Sequence, residues 1–385
     1  MTLGNSMLIP VLPAIRSKLG ITSLQVSLLI TIYSAVAILL IPVAGYLSDR
    51  FGRKQIIIPS LIINGIGGLL AGLGAWWIEN PYLVIMLGRL LQGVGAAGAF
   101  PIVLPLVGDI FKKESEVSSA LGIVETANTF GKVLSPILGS AFALIIWFAP
   151  FLAIPVLCII SAVMVAFLVK SPPKKSDSKV TFALFRANMK QIFLNNGKWL
   201  YATFAIGCIC MLAIFGTLFY LSDTLEDDYH VKGIIKGCIL AIPSAALCIA
   251  SFMTGRWIGR NKILMKWLTF GGITLAAASF IISGMLHAII WLIGLISLGG
   301  IGIGVTLPCM DAMITEGINK SERGTITSLY SSMRFIGVAV GPPLAAILVK
   351  ISPHLMFYMI TGVCVLAAVL ALFTIKPDQD EAAAQ

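Results

Sequence analysis

The chain has 385 residues and a formal net charge of +10, and 58% of its residues are hydrophobic. A mean hydropathy of +0.97 and a charged fraction of only 11% exclude an ordinary soluble domain and indicate an all-α protein that crosses a membrane many times. The sequence has no basic patch interleaved with aromatic residues, so the positive charge fits an anionic membrane leaflet better than a nucleic-acid partner.

Apolar runs of about 20 residues recur between short polar breaks, and each is long enough to cross a hydrocarbon core of ~30 Å as a helix. The first run, at 1–15, is too short to cross unaided and lacks the basic n-region of a signal peptide. We expect either that the first helix is truncated, with its cytoplasmic half missing, or that it is short, tilted or re-entrant. Eleven full spans are predicted at residues 25–46, 55–77, 83–108, 118–143, 147–169, 198–222, 234–256, 263–287, 289–313, 324–349 and 353–375.

Basic residues concentrate in alternate loops, and cytoplasmic loops are the ones that carry such an excess. Most of the 27 Lys and Arg residues fall in six segments that we predict to be cytoplasmic, namely 48–54, 109–117, 170–198, 256–266, 316–323 and the tail from residue 376. The opposite loops hold Arg16, Lys18, Lys232, Lys236 and Lys350. We therefore predict a multi-pass protein of the cell membrane with both termini in the cytoplasm.

The longest polar break divides the chain into two halves. It combines SPPKKSDSK with VTFALFRANMKQIF, which predicts a linker followed by an interfacial amphipathic helix. The flanking halves repeat at a shift of 206 residues, so that GKVLSP at 131–136 falls on GVAVGP at 337–342. Such duplication is typical of transporters and places the substrate path between two bundles. The predicted units are an N-terminal bundle at 1–169, the linker at 170–197, a C-terminal bundle at 198–375 and a cytoplasmic tail at 376–385.

Residue types that would support catalysis are scattered along the chain. The seven cysteines lie in apolar spans without a CxxC pair or metal-ligand spacing. A convergent nucleophile and base are not evident, and the G-x-x-x-x-G-K-[ST] loop of ATP-driven pumps does not occur. We therefore expect a monomer that is not an enzyme and has no cofactor or metal, with a small molecule, protons and the lipid bilayer as its partners.

The decapeptide GYLSDRFGRK at 45–54 concentrates charge in a chain that has little. It resembles the signature loop G-x-L-x-D-R-x-G-R-K of the major facilitator superfamily. The second half of the chain keeps only an incomplete match to this loop. The matching residues are Gly45, Leu47, Asp49, Arg50, Gly52, Arg53 and Lys54. The resemblance implies an inner gate in which Asp49 and Arg53 form a charge network with Asp109. We expect Asp49 to contact the opposite bundle, whereas Lys54 is better explained as an anchor at the inner face.

Two further motifs resemble those of the same superfamily. LGRLLQGVGAAG is similar to R-x-x-Q-G-x-G, and because a membrane-embedded arginine costs at least ~2.5 kcal/mol, we expect Arg89 to face the bundle interior beside a partner. GKVLSPILGS is similar to the motif G-x-x-x-G-P-x-x-G-G of proton-coupled drug efflux, with Ser135 and Ser140 in place of two glycines. The positions expected to pack helices closely are Gly131, Ser135, Pro136, Gly139, Gly337, Gly341 and Pro342. The resemblance covers nearly the whole chain and implies the drug:proton antiporter branch, with twelve spans in two six-helix bundles related by a pseudo-two-fold axis.

Polar residues inside the spans are the candidates for the transport site. A spacing of three and four residues places four polar residues on one helix face, namely Glu125, Asn128, Lys132 and Ser135. Such a stripe should line a cavity. Glu125 is either the proton carrier or the static partner of Lys132, and Asp311 is either another carrier or part of the gate. The candidates for proton coupling are Glu125, Asp311 and Arg89. The candidates for substrate binding are Asn5, Gln92, Asn128, Lys132 and Arg334.

The charges inside the spans also predict the charge of the substrate. Arg334 aligns with Asn128 under the repeat, so Lys132 and Arg334 would present comparable faces from opposite bundles and could clamp an anionic group. Alternatively, a neighbouring acid or carbonyl neutralises each cation. We expect the acidic residues at 223–228 in the outer loop to be solvated and screened over ~8 Å.

The interpretation that follows is a proton-coupled secondary transporter that exports small amphiphilic compounds by alternating access, as in multidrug efflux. One alternative is a dedicated exporter of an endogenous anionic metabolite such as a siderophore, which a preference for anions modestly favours. A second alternative is a membrane sensor or binding protein that does not transport.

Overall fold

The computed structural model describes residues 2–111, 114–169, 182–259, 261–286, 288–317 and 320–375. Every regular element in these ranges is a helix. The first segment is broken into three pieces, namely α1 (Thr2–Ser6), a 3-10 turn (Ile9–Val11) and α2 (Leu12–Leu19). Pro10 and Pro13 lie near the starts of the second and third pieces, and the break follows because proline has no backbone N–H to donate.

Eleven helices in the described residues are long and apolar enough to cross a membrane. They lie within α3 (Ser23–Phe51), α4 (Arg53–Trp77), α5 (Tyr82–Ile110), α6 (Glu114–Ile145), α7 (Ala149–Leu168), α8 (Phe182–Asp227), α9 (Gly233–Trp257), α10 (Lys262–Ser283), α11 (Ile289–Gly317), α12 (Lys320–Ile351) and α13 (Pro353–Thr374). These helices confirm the eleven predicted full spans. Residues 182–197, predicted as a separate interfacial helix, are instead the first part of the 46-residue α8. The predicted linker residues 170–181 and the tail at 376–385 lie outside the described residues.

Capping side chains mark where two helices begin, and one glycine forms the tight turn between α3 and α4. The Thr22 hydroxyl accepts a hydrogen bond from the Gln25 N–H, while the Gln25 side chain accepts one from the Thr22 N–H, so the pair caps α3 reciprocally. Asn261 caps α10 by accepting a hydrogen bond from the N–H of Leu264. Gly52 alone separates α3 from α4, and its φ of 110° would strain any residue with a side chain.

The two halves of the chain form bundles with the same internal packing. Helices α6 and α12 each have 32 residues, and their bounds differ by the shift of 206 residues, as from Glu114 to Lys320. In the first half α4 packs on α5 and α7, α3 on α5, and α1 on α6. In the second half α10 packs on α11 and α13, α9 on α11, and α8 on α12. The repeat predicted from the sequence is therefore also present in the helix packing.

Two helix pairs join the bundles, α3 with α12 and α6 with α9. The Thr31 hydroxyl of α3 donates to the Ala339 carbonyl of α12 at 2.7 Å. The second pair depends on a small residue, because a Cβ at Gly237 of α9 would lie 2.5 Å from the carbonyl oxygen of Pro136 of α6. Under the repeat α3 corresponds to α9 and α12 to α6, so the two pairs are equivalent.

The motif glycines differ in what surrounds them. A Cβ at Gly139 would overlap the carbonyl oxygen of Met7, and one at Gly337 would overlap that of Cys208. At Gly337 the backbones of α12 and α8 therefore touch, and at Gly139 the backbone of α6 touches the turn that follows α1. A Cβ at Gly131 would meet no atom within 4 Å. The remaining positions of the two motifs also lie in α6 and α12, and they are Ser135, Pro136, Gly341 and Pro342.

Large apolar side chains cover the outside of both bundles. Examples that are each more than 70% exposed are Leu39, Leu83, Ile145, Phe167 and Ile290. Soluble proteins rarely expose so much contiguous apolar surface, whereas the hydrocarbon chains of a bilayer would cover it without cost.

Candidate functional site

A cavity that is partly open to solvent lies between the two bundles. The first bundle contributes residues of the first segment and of α6, and the second contributes residues of α8 to α11. Most of the lining side chains are apolar, and most belong to the second bundle. The cavity therefore occupies the place that the repeat predicts for a substrate path.

Lys132 is the one charged residue among those that line this cavity. The wall also includes the rings of Phe215 and Phe280. The hydroxyls of Thr217 and Ser244 donate to carbonyls of their own helices, at 2.7 and 3.3 Å. Their protons are therefore already used within the helices and add little to the polarity of the cavity wall. The cavity wall is therefore apolar apart from one cationic side chain and a few hydroxyls.

One predicted substrate-binding residue, Lys132, lines the cavity. The other four are absent from its lining, and they are Asn5, Gln92, Asn128 and Arg334. The predicted polar stripe of α6 thus reaches the cavity wall at Lys132. The side chain of Glu125, in the same helix, lies outside the described part of the structure.

Arg89 is fully buried in α5, and the partners that the described residues offer it are neutral. Its guanidinium donates to the Leu29 carbonyl at 2.8 Å, the Gln92 side-chain oxygen at 2.6 Å and the Asn5 side-chain oxygen at 2.5 Å. It also lies over the ring of Tyr33, 4.3 Å from the centroid. The expectation that Arg89 faces the bundle interior beside a partner is confirmed.

The first segment connects this buried cluster to the cavity. Asn5 accepts from Arg89, while the next residue, Ser6, lines the cavity. The segment is also tied to α6, because the Ser135 hydroxyl donates to the Leu3 carbonyl at 3.3 Å. A displacement of α1 would therefore alter both the surroundings of Arg89 and the cavity wall.

The charged loop at 45–54 forms a cluster around Arg53, at the end of the molecule that we call the Arg53 face. The guanidinium pairs with Asp49 at 2.5 Å and with Asp109 at 2.9 Å, and it donates to the Ser48 hydroxyl at 2.7 Å. The charge network implied by the resemblance is thus present. The turn between α3 and α4 folds Arg53 back onto Asp49 within the first bundle. The contact of Asp49 with the opposite bundle, expected when the inner gate closes, stays a prediction.

The other two cations of this loop make different contacts. Lys54 donates to the carbonyls of Ala166, at 2.6 Å, and Val169, at 3.0 Å. These carbonyls end α7, where the helix dipole favours a cation. Arg50 lies over the ring of Phe51, 5.5 Å from its centroid. Lys54 therefore holds the end of α7, and its expected role as an anchor at the inner face of the membrane stays a prediction.

Arg334 and Asp311 pair with each other inside the second bundle, at 3.4 Å. The guanidinium also lies 5.6 Å from the ring centroid of Tyr330. The structure does not bring Arg334 to the cavity wall beside Lys132. The alternative in which a neighbouring acid neutralises the cation therefore describes Arg334 better than the clamp does.

A second ion-pair cluster lies at the opposite end of the molecule, which we call the Arg16 face. Arg16 of α2 pairs with Asp223 at 3.2 Å and Asp227 at 2.5 Å, and Lys236 of α9 pairs with Glu226 at 2.7 Å. The expectation that these acids are solvated is wrong for Asp223 and Glu226, whose side chains are 18% and 13% exposed. The reason is that α8 continues through them, so they remain packed against α2 and α9.

The sequence offered one signal for this missed cluster. Asp223, Glu226 and Asp227 are spaced by three and four residues, so they share one face wherever the preceding apolar helix continues through them. The participation of Arg16 had no such signal, because it depends on a contact between two segments that lie 207 residues apart.

A family model described as the Major Facilitator Superfamily matches residues 1–338 and 266–385. The chain belongs to this superfamily. Membership confirms the family that the charged loop resembles, and it makes the chain a membrane transporter rather than an enzyme.

This facilitator is similar along nearly its whole length to bacterial exporters. It is 50% identical to the bacillibactin exporter of Bacillus subtilis (strain 168), with 99% of this chain and 95% of that protein covered. It is 25% identical to the quinolone resistance protein NorA of Staphylococcus aureus (strain MRSA252), with 96% and 92% covered. It is 26% identical to the multidrug efflux protein YfmO of Bacillus subtilis (strain 168), with 96% and 89% covered.

The fold of this facilitator is similar to that of the human organic anion transporter MFSD10 (TETRAN). The TM-score is 0.75 at 16% identity, and 96% of each chain is covered. At this identity the likeness shows the fold alone, which is the predicted helical transporter fold. The facilitator is therefore a multi-pass membrane protein that acts on small molecules.

Proposed function

We propose that this facilitator exports an endogenous anionic amphiphile of the siderophore class. The observation that carries the proposal is the cavity between the bundles, where Lys132 is the charged residue of a mostly apolar lining. The relative at 50% identity, named a bacillibactin exporter, supports a siderophore-type substrate over a broad range of drugs. The multidrug interpretation thereby becomes the second candidate.

The cavity would bind the charged part and the apolar part of such a molecule through different side chains. The Lys132 ammonium offers a point charge to an anionic oxygen. The apolar part would lie against Phe215 and Phe280, where each Å² removed from water contributes ~25 cal/mol. Because Lys132 belongs to the first bundle and both rings belong to the second, one bound molecule would touch both moving parts of the transporter.

Transport would proceed by rocking of the two bundles around this cavity. The pairs α3–α12 and α6–α9 are exchanged by the repeat, so a rotation that opens one end of the interface can close the other. The excess of Lys and Arg supports a cytoplasmic location for the Arg53 face and for both termini. The substrate would then leave through the Arg16 face.

Proton antiport is the energy source that we propose for export. Asp311 supports it, because its side chain is 36% exposed and its protonation would release Arg334 from their ion pair. Arg89 supports it as well, because a fully buried cation among neutral partners makes the local structure sensitive to any charge that comes near. Glu125 remains the third candidate.

Uptake into everted membrane vesicles that contain the full chain tests the proposed function. We expect bacillibactin to accumulate in these vesicles, and an uncoupler to collapse the accumulation. A panel of quinolones and cationic dyes, measured in the same vesicles, tests the second candidate, which the relatives at 25% and 26% identity favour. Accumulation of drugs without bacillibactin would replace the proposal with multidrug efflux, and binding without any uptake would replace it with a sensor.

A further inference from the structure

We propose that Arg16, Asp223 and Asp227 form a lock that closes the transport cavity at the Arg16 face, and that this lock opens each time a molecule passes that face. The ion pairs join the two bundles, because Arg16 lies in the last turn of α2 while both aspartates lie at the end of α8. The inference goes beyond the proposed function and holds whichever substrate the cavity takes.

The lock lies directly beyond the cavity. Leu218 lines the cavity, and Asp223 follows it by five residues, which is about 7.5 Å along α8. Ile9 also lines the cavity, and its carbonyl accepts a hydrogen bond from the Ser222 hydroxyl at 2.9 Å, which is a further contact between the bundles. The bundles are therefore held together within two helical turns of the cavity wall.

The charges at this end make the lock depend on Arg16. Asp223, Glu226 and Asp227 lie in the last turns of α8, where the helix dipole is already negative, so they repel one another and the helix end. Lys236 pairs with Glu226 inside the second bundle. Among the described residues, Arg16 is the cation that binds this helix end to the first bundle.

The Arg16–Asp223 pair is sheltered enough from water to hold the bundles, whereas the Asp227 side chain is 48% exposed. The side chains of Arg16 and Asp223 are 19% and 18% exposed, and the Ser23 hydroxyl orients the guanidinium by accepting from it at 2.8 Å. Charge-assisted hydrogen bonds in such surroundings are stronger than fully exposed ion pairs, which often contribute nothing measurable. We therefore expect the lock to shift the balance between closed and open states by about tenfold.

A cysteine in the cavity reports whether the lock is open. Ser244→Cys places a thiol in the lining, and a membrane-impermeant reagent is applied from the Arg16 face of the full chain in vesicles. Lys232→Cys, exposed at the start of α9, identifies the vesicles that present this face. Arg16→Gln should raise the labelling rate of the cavity cysteine about tenfold. The chain without an engineered cysteine measures the labelling of native cysteines, which is subtracted.

Two comparisons make the result decisive. Lys18→Gln removes an exposed cation two residues from Arg16, has no described ion pair to lose, and should leave the labelling rate unchanged. Arg16→Asp alone should accelerate labelling, whereas the charge swap of Arg16→Asp with Asp227→Arg should return the rate to within about threefold of the original. An unchanged rate in Arg16→Gln, or a swapped pair that labels as fast as Arg16→Asp alone, would overturn the proposal.

Discussion

Lys132 and Arg334 are cations in equivalent helices of the two bundles, and their surroundings are different. Lys132 lines the cavity, whereas Arg334 pairs with Asp311 of the neighbouring helix α11. Alignment of the two halves placed these cations on comparable faces. It could not predict the pairing, because Asp311 reaches Arg334 only through the packing of α11 beside α12.

The first prediction uses this difference. Lys132→Gln should lower export of an aryl carboxylate about tenfold or more relative to its neutral amide, because a hydrogen bond to a charged group contributes ~1.5–3 kcal/mol. Arg334→Gln should leave the ratio of carboxylate to amide export unchanged, even if it slows both. The measurement is uptake of the matched pair into everted vesicles. An equal loss of carboxylate preference in both variants would contradict the assignment of Lys132.

The second prediction concerns the acceptors around Arg89. Asn5→Leu removes one acceptor of the buried guanidinium and should lower the free energy of unfolding by ~1 kcal/mol, since hydrogen bonds between membrane helices average ~0.6 kcal/mol and this one involves a charged group. Asn5→Asp keeps an acceptor and adds a counter-charge, so it should be more stable than Asn5→Leu. Thermal unfolding of the purified protein provides the measurement, with the exposed Asn80→Leu as the control. Equal stability of Asn5→Leu and the unchanged protein would refute this role.

Helix α8 shows what the sequence could and could not predict about an element. Hydropathy located its span at 198–222, and likewise the other ten, because an apolar run of sufficient length has few alternatives in a membrane. Hydropathy did not predict that the helix continues to Phe182 at one end and to Asp227 at the other. Helical continuity follows from backbone hydrogen bonding, which polar side chains do not interrupt, so a change in polarity marks the membrane boundary rather than the helix boundary.

The third prediction compares glycines within and between two equivalent helices. Gly139→Ala and Gly337→Ala should each destabilise the protein by ~1–3 kcal/mol, because the added methyl group would meet a backbone carbonyl that can retreat only if the two contacting segments separate. Gly131→Ala, two turns before Gly139 in α6, is the matched control and should be tolerated. Thermal unfolding midpoints of the three variants test this ordering. A Gly131→Ala midpoint as low as the other two would show that helix propensity or the motif itself, rather than the contact, decides stability.

At the scale of the whole molecule, the repeat predicted two equivalent bundles and the structure confirms their common packing. The contacts between the bundles were the part that sequence reasoning could not predict. Asp49 pairs with Arg53 of its own bundle, whereas Arg16, which the charge pattern places in a loop, bridges the two bundles. Contacts within a bundle occur in both halves and leave a pattern in the repeat, whereas the ion pairs of Arg16 occur once and leave none.

The fourth prediction tests whether the bundles must separate along α3 and α12. A Cβ at Gly45 would lie 3.8 Å from the Cβ of Ser328, which is within the usual disulfide range of ~3.5–4.5 Å. Gly45→Cys with Ser328→Cys should therefore cross-link under oxidation, and export should stop because rocking requires this contact to open. A reductant should restore export, and each single variant should be insensitive to both treatments. Continued export by a chain whose disulfide is verified by mass spectrometry would exclude separation at this point.

The unbroken course of α8 has a mechanical consequence. Its 46 residues extend about 69 Å, and Leu218, at the cavity wall, is about 13 Å from Asp227 but about 54 Å from Phe182. A rod that pivots at the cavity is a lever with a short arm at one surface of the membrane and an arm about four times longer at the other. A tilt of roughly 10° would carry Asp227 about 2 Å, enough to part a contact of 2.5 Å, while the far end sweeps about 9 Å. In a helix that tilts as one rigid rod about the cavity, a pull applied near Phe182 would act on the opposite surface with about fourfold mechanical advantage.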